Sequence, residues 1–140
     1  MSAIDTSLKS IALVVDDDPD SLGMLATALE SHGMTVLVAR DGREAVTLTR
    51  RVQPDAILMD AIMPEMDGFE ACRTLKSGPD PILAPIVFMT GLSAQEHVVE
   101  GLAAGGVDYV TKPVVIEELI ARVGTHIVNS RLLQSARSAL

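Results

Sequence analysis

The 140-residue chain carries a formal net charge of −8, with 48% hydrophobic residues, 2% aromatic residues and a single cysteine. One domain with a sizeable core fits that length, whereas an acidic, ring-poor chain offers neither a basic face nor a stacking platform, so direct nucleic-acid contact by this segment is excluded. No apolar run approaches the roughly 20 residues that span a bilayer, Met1 to Ser10 lacks a signal-peptide pattern, and Cys72 has no internal disulfide partner, so a soluble cytoplasmic protein away from the membrane is expected.

In chain order, residues 1–10 form a polar lead-in without periodicity and are expected to be flexible. Ile11 to Val15 is an apolar run that reads as a buried strand and stops at three carboxylates, Asp16, Asp17 and Asp18. Asp18 then serves as helix N-cap, with Pro19 at the first helical position where a missing N–H costs nothing. Leu22, Leu25 and Leu29 make a core stripe, and Gly33 ends the helix. Thr35 to Ala39 is a second strand. Asp41 and Glu44 have the spacing of a capping box for a helix whose inner face is Ala45, Leu48 and Val52, and Gln53-Pro54 stops it.

Ala56 to Met59 is a third strand that again runs into a carboxylate, Asp60. After a loop carrying Met63-Pro64, Asp67-Gly68 opens a helix over Phe69 to Lys76, read as a turn and helix start with no part in a site. The proline-rich stretch Ser77 to Pro85 is an irregular connection to a fourth strand, Ile86 to Met89, which ends at Thr90. Ser93 and Glu96 have capping-box spacing for a helix to about Ala104, and a fifth strand, Tyr109 to Thr111, ends at Lys112-Pro113. A last helix starts near Val115. Met24, Met34, Met59 and Met89 read as core filler, Cys72 as a small helix residue, and His32, His97 and His126 as scattered surface residues.

Five short apolar strands alternating with amphipathic helices imply an α/β fold, a doubly wound five-stranded parallel sheet covered on both faces. Ligands of such sheets bind beyond the carboxyl ends of the strands, where Asp16, Asp17, Asp60, Thr90 and Lys112 converge. Crowded carboxylates repel one another, and hard oxygen donors without a Cys or His cluster suit Mg²⁺ and not zinc. Lys112 is either a counter-ion to the acids or a ligand for an anion arriving with the metal. A metal, an ionised carboxylate, a hydroxyl and a lysine form a minimal set for phosphoryl transfer to Asp60, and no P-loop is present to take ATP as the direct donor.

Val14-Val15-Asp16-Asp17-Asp18-Pro19, Met59-Asp60 with Met63-Pro64 and Met66-Asp67-Gly68, Met89-Thr90-Gly91 and Tyr109-Val110-Thr111-Lys112-Pro113, in that order and each at a strand end, resemble the receiver domain of a two-component response regulator. The resemblance covers Ile11 to about Ile127, which sets a domain at 11–127 and leaves 128–140 as a helical extension or linker. It implies a flavodoxin-like fold, Asp60 as phosphoacceptor for a sensor histidine kinase, and Mg²⁺ held by Asp16, Asp17, Asp60 and the backbone carbonyl of Ile62, with Asp17 the more direct ligand than Asp16. It further implies Thr90 as switch hydroxyl, Tyr109 as the ring that swings inward on activation, Lys112 as phosphoryl ligand, and a cis bond between Lys112 and Pro113. The expected module is not an enzyme with a diffusible substrate. It would switch the surface of the fourth helix, fifth strand and fifth helix to control a partner or a C-terminal output domain. Ile62 and Leu92, both apolar where polar groups could orient water, predict slow self-hydrolysis.

The alternative from another class is a Mg²⁺-dependent phosphohydrolase of the haloacid dehalogenase type, with Asp16 as nucleophile, Asp18 as acid, and Thr90 and Lys112 as its later motifs. It requires a further acidic motif after the lysine, where only Glu117 and Glu118 occur, and leaves Asp60 without a role. In the tail, Ile116, Leu119, Ile120, Val123 and Ile127 form a stripe for the sheet, and Leu132, Leu133 and Leu140 continue the apolar character with Arg131 and Arg137 between them. A frayed tail, a linker to an output domain and a homodimer contact all fit that pattern.

Overall fold

A computed structural model describes residues 10–91 and 95–139. The first half contains β1 (Ile11–Val15), α1 (Pro19–Ser31), β2 (Thr35–Ala39), α2 (Gly42–Val52) and β3 (Ala56–Asp60). The second contains α3 (Gly68–Lys76), β4 (Ile86–Thr90), α4 (Gln95–Ala103), β5 (Asp108–Thr111) and α5 (Ile116–Ala139). All strand pairs are parallel, in the order β2-β1-β3-β4-β5. This is the doubly wound sheet expected from the alternation of strands and helices, in the flavodoxin-like form that the resemblance implied, with a long C-terminal helix.

Alternation along each strand sorts the apolar residues onto two faces. Leu13, Val15, Ile57, Met59, Ile86 and Phe88 point into one core, where α2, α3 and Ala104 after α4 supply Ala45, Phe69 and Leu75 among others. Ala12, Val14, Leu58, Val87, Met89 and Val110 point into the other, closed by Leu22, Leu25 and Leu29 of α1 and Leu119, Val123 and Ile127 of α5. Strand order reverses between β1 and β3, so a crevice opens at their carboxyl ends.

Local signals explain where the helices begin. Asp18 accepts from the Asp20 N–H at 3.1 Å, Asp41 from Glu44 at 2.8 Å and Asp67 from Glu70 at 2.9 Å, so three capping carboxylates open three helices. Glu44 closes its box on the N–H of Arg40 at 2.8 Å, one residue before the cap. Gln53, at φ 58°, ends α2 in the left-handed region.

Several expectations are corrected. Asp60 and Asp108 belong to their strands, and Gly68 to α3. The buried face of α2 is Gly42, Ala45 and Thr49, with Val52 exposed, because α2 approaches the β3–α3 loop so closely at Gly42 that a Cβ there would lie 2.5 Å from the Met66 carbonyl oxygen. Met24 is not core filler: it falls on the solvent side of the α1 stripe and is 58% exposed. His97 stacks on Phe69 with ring centroids 6.3 Å apart, and His126 lies 3.0 Å from Asp108, so only His32 is a plain surface histidine. Ser10, assigned to the flexible lead-in, is fully buried, and its carbonyl accepts from the Thr35 N–H at 3.0 Å. Residues 1–9, Leu92, the cap at Ser93 and Leu140 lie outside the described residues.

Candidate functional site

Each strand tip delivers one part of the site. β1 ends by placing Asp16 under the crevice, fully buried, with its N–H donating to the Ala39 carbonyl at 3.1 Å. Asp16 Oδ1 accepts from the Asp18 N–H at 3.0 Å, and the Ser21 hydroxyl of the first α1 turn also hydrogen-bonds to Asp16. Asp17, the next residue, is exposed. β3 ends in Asp60, 8% exposed, whose Oδ1 accepts from the Ile62 N–H at 3.2 Å. Carboxylate oxygens of Asp16, Asp17 and Asp60 all lie within 4.8 Å of one another.

Lys112 follows β5 and reaches back across the tips of the sheet. Its N–H donates to the Thr90 carbonyl at 2.8 Å, and its Nζ lies 2.8 Å from Asp16 Oδ2 and 3.3 Å from Asp60 Oδ2. The Lys112-Pro113 peptide is cis, as the resemblance implied. Thr90 is buried at the end of β4, and its side chain is hydrogen-bonded to the phenol of Tyr109, which is half-buried against the core.

The two buried acids respond differently to one lysine. Burial pushes the Asp60 carboxyl up, the charge of Asp16 adds to the effect, and Lys112 and the Ile62 N–H only partly oppose it, so Asp60 is held above the ordinary carboxylate range. Burial also works against the Asp16 anion, but the shorter Lys112 contact, the Asp18 N–H and Ser21 outweigh it and hold Asp16 below that range. Burial lowers the Lys112 ammonium, and the two carboxylates more than reverse this, leaving it raised. Asp60 is therefore the more basic buried anion. Three converging carboxylates provide the hard, partly solvent-facing donor set that suits Mg²⁺.

Two contributors lie outside the sequence reading. A Cβ on Gly68 would fall 2.3 Å from the Asp60 carbonyl oxygen, and the Gly68 N–H donates to the Ala61 carbonyl at 2.9 Å. Only glycine lets α3 start against the tip of β3, so Gly68 sets the position of Asp60. Ser21 is the second, and its signal is only a hydroxyl one turn into the helix that follows the acids.

The model of the response regulator receiver domain family matches residues 12–124. The chain belongs to this family. Among curated proteins, it is 43% identical over 111 residues to the response regulator MprA of Mycolicibacterium vanbaalenii, covering 79% of this chain and 47% of that protein. It is 38% identical over 131 residues to a probable cyclic di-GMP phosphodiesterase of Vibrio cholerae, covering 94% of this chain and 29% of that protein. Among solved structures, the Francisella response regulator 1452 receiver domain superposes with a TM-score of 0.80 at 35% identity, covering 86% of this chain and 98% of that one. The receiver thus spans about half or less of the curated relatives' length. The phosphohydrolase alternative gains no support: Asp18, its would-be acid, caps α1. No described helix is long and apolar enough to cross a membrane.

Proposed function

We propose that this receiver accepts a phosphoryl group on Asp60 from the phosphohistidine of a sensor histidine kinase, and that this event switches its α4–β5–α5 surface. The observation that carries the reading is the placement of Asp60 Oδ2 within 3.3 Å of the Lys112 ammonium, beside the oxygens of Asp16 and Asp17. Asp60 Oδ2 attacks phosphorus, a P–O bond forms, and the P–N bond to the donor histidine breaks, leaving its electron pair on the imidazole. No general base is needed, because the nucleophile is already an anion.

Asp16, Asp17, Asp60 and the Ile62 carbonyl would hold Mg²⁺, which when bound neutralises phosphoryl oxygens. Lys112 exchanges its Asp60 contact for a phosphoryl oxygen while remaining oriented by Asp16. Thr90 turns its hydroxyl to the phosphoryl group, and Tyr109, hydrogen-bonded to Thr90, follows it inward. That movement passes to a face where Val99, Leu102, Val107 and Val115 are exposed, a surface suited to a partner or an appended output domain. The module turns over no diffusible substrate; its only chemistry is its own phosphorylation and the loss of that phosphoryl group. We place it in the cytoplasm with its kinase.

Tyr109 is the sole tyrosine, and there is no tryptophan, so intrinsic fluorescence reports the switch residue directly. Acetyl phosphate with Mg²⁺ should change Tyr109 emission in the native chain and leave it unchanged in Asp60→Asn or with EDTA. A change that persists in Asp60→Asn would refute the reading.

A further inference from the structure

The amino ends of β3 and β4, at the end of the sheet away from Asp60, border a cavity of about 350 Å³. Its walls come from the end of α2, the turn before β3, the 77–85 connection and the later part of α5. That volume falls in the range that small-molecule sites occupy, and the receiver chemistry makes no use of it. Pro54, Ile82 and Ile127 give the cavity an apolar lining.

The walls are held in place by side chains that grip backbone carbonyls. Arg50 donates to the Asp80 carbonyl at 2.6 Å and to the Thr74 carbonyl at 3.4 Å. Lys76 Nζ donates to the Ala84 and Ile82 carbonyls at 2.8 and 3.3 Å, and Ser130 to the Leu83 carbonyl at 3.0 Å. The cavity is therefore formed before any ligand arrives, and little ordering opposes binding.

Two groups in the wall are left with chemistry to spend. Arg131 is answered by Asp55 at 3.4 Å, and Asp55 also accepts from the Ile11 N–H at 2.7 Å. Arg50, by contrast, has only neutral carbonyls for partners among the described residues, which leaves its charge uncompensated and N–H groups of its planar fork unspent. Asp80, the other acid of the lining, is exposed to solvent. Thr49 stands in the same wall, buried, and its hydroxyl has no hydrogen-bond partner among the described residues. Valine has the same shape and would bury there without stranding a polar group, so the hydroxyl does not serve the fold.

We infer that this cavity binds a small organic monoanion, a carboxylate on a compact apolar body. The carboxylate takes the unspent N–H groups of Arg50, whose fork matches two oxygens, together with the Thr49 hydroxyl, and the body lies against Pro54, Ile82 and Ile127. Arg50, Lys76 and Arg131 exceed Asp55 and Asp80 by one positive charge, which suits a monoanion and not a nucleotide or other polyphosphate.

Proton–nitrogen correlation NMR of the unphosphorylated chain, titrated with benzoate in the absence of Mg²⁺, tests this. Benzoate should shift the amide signals of Thr49, Arg50 and Leu83 saturably and leave those of Asp16, Asp60 and Lys112 in place. Benzyl alcohol has the ring without the charge and acetate the charge without the ring, and each should bind at least about tenfold more weakly. Arg50→Gln should weaken benzoate by a similar factor, and Thr49→Val should weaken it while keeping the fold intact. The dispersion of the same spectra verifies that each variant is folded. Shifts centred on Lys112, undiminished binding to either variant, equal binding of benzyl alcohol or acetate, or no saturable shift with benzoate would each overturn the inference.

Discussion

At the scale of single residues, the site depends as much on what is missing from a backbone position as on the acids. Gly68→Ala puts a methyl group against the Asp60 carbonyl, so either α3 or the tip of β3 must move. Overpacking of this kind costs roughly 1–3 kcal/mol, and urea denaturation should show that loss together with slower phosphorylation. An unchanged urea midpoint would mean that the loop relaxes freely and that Gly68 does not position Asp60. Ile62 projects into solvent beside Asp60, 44% exposed, and offers no polar atom to orient a water. Phospho-Asp60 should therefore persist for minutes or longer, and Ile62→Asn should shorten its life; loss of phosphate from the native chain within seconds contradicts this. Thr49 is buried, and its hydroxyl has no hydrogen-bond partner among the described residues. Thr49→Val removes that desolvated group at nearly constant shape and should stabilise the fold by roughly 1 kcal/mol, read as a higher urea midpoint.

At the scale of elements, β5 and α5 are joined by charge. Asp108 accepts from Arg122 at 2.8 Å and lies 3.0 Å from His126, and its own strand supplies the Tyr109 N–H at 2.8 Å. Burial works against its anion, but His126, the Tyr109 N–H and Arg122 prevail and hold Asp108 below its ordinary value of 3.8. A depressed carboxyl contributes stability that is present above the unfolded value and is lost as pH falls through the folded one. Asp108→Asn should therefore be less stable than the native chain by about 1 kcal/mol near neutrality, since the pair is partly exposed. That gap should close as the pH is taken from about 5 to below 3.8; a gap that stays constant on acidification would show that Asp108 contributes no charge. The strands and helices were legible because apolar runs and caps are local, and Asp18, Asp41 and Asp67 act within four residues of themselves. The Asp108 cluster, the rotation of α2 about Gly42 and the burial of Ser10 were not legible, because each depends on a partner 14 or more residues away that no periodicity encodes.

At the scale of the whole molecule, the parallel sheet is what turns scattered residues into a site. Asp16, Asp60, Thr90 and Lys112 are far apart in sequence and meet because four strands end on the same side, with the reversal between β1 and β3 opening the crevice. The acids, the lysine and the threonine could be found from the sequence because strand ends can be read there. Gly68 could not, since Asp-Gly reads as a turn whether or not a backbone lies against it. In the function proposed above, Asp60 alone takes the phosphoryl group. Intact mass measurement with peptide mapping after acetyl phosphate and Mg²⁺ should find a single added phosphoryl group, located on Asp60, and none in Asp60→Asn. A phosphoryl group on Asp16, or undiminished labelling of Asp60→Asn, would contradict it.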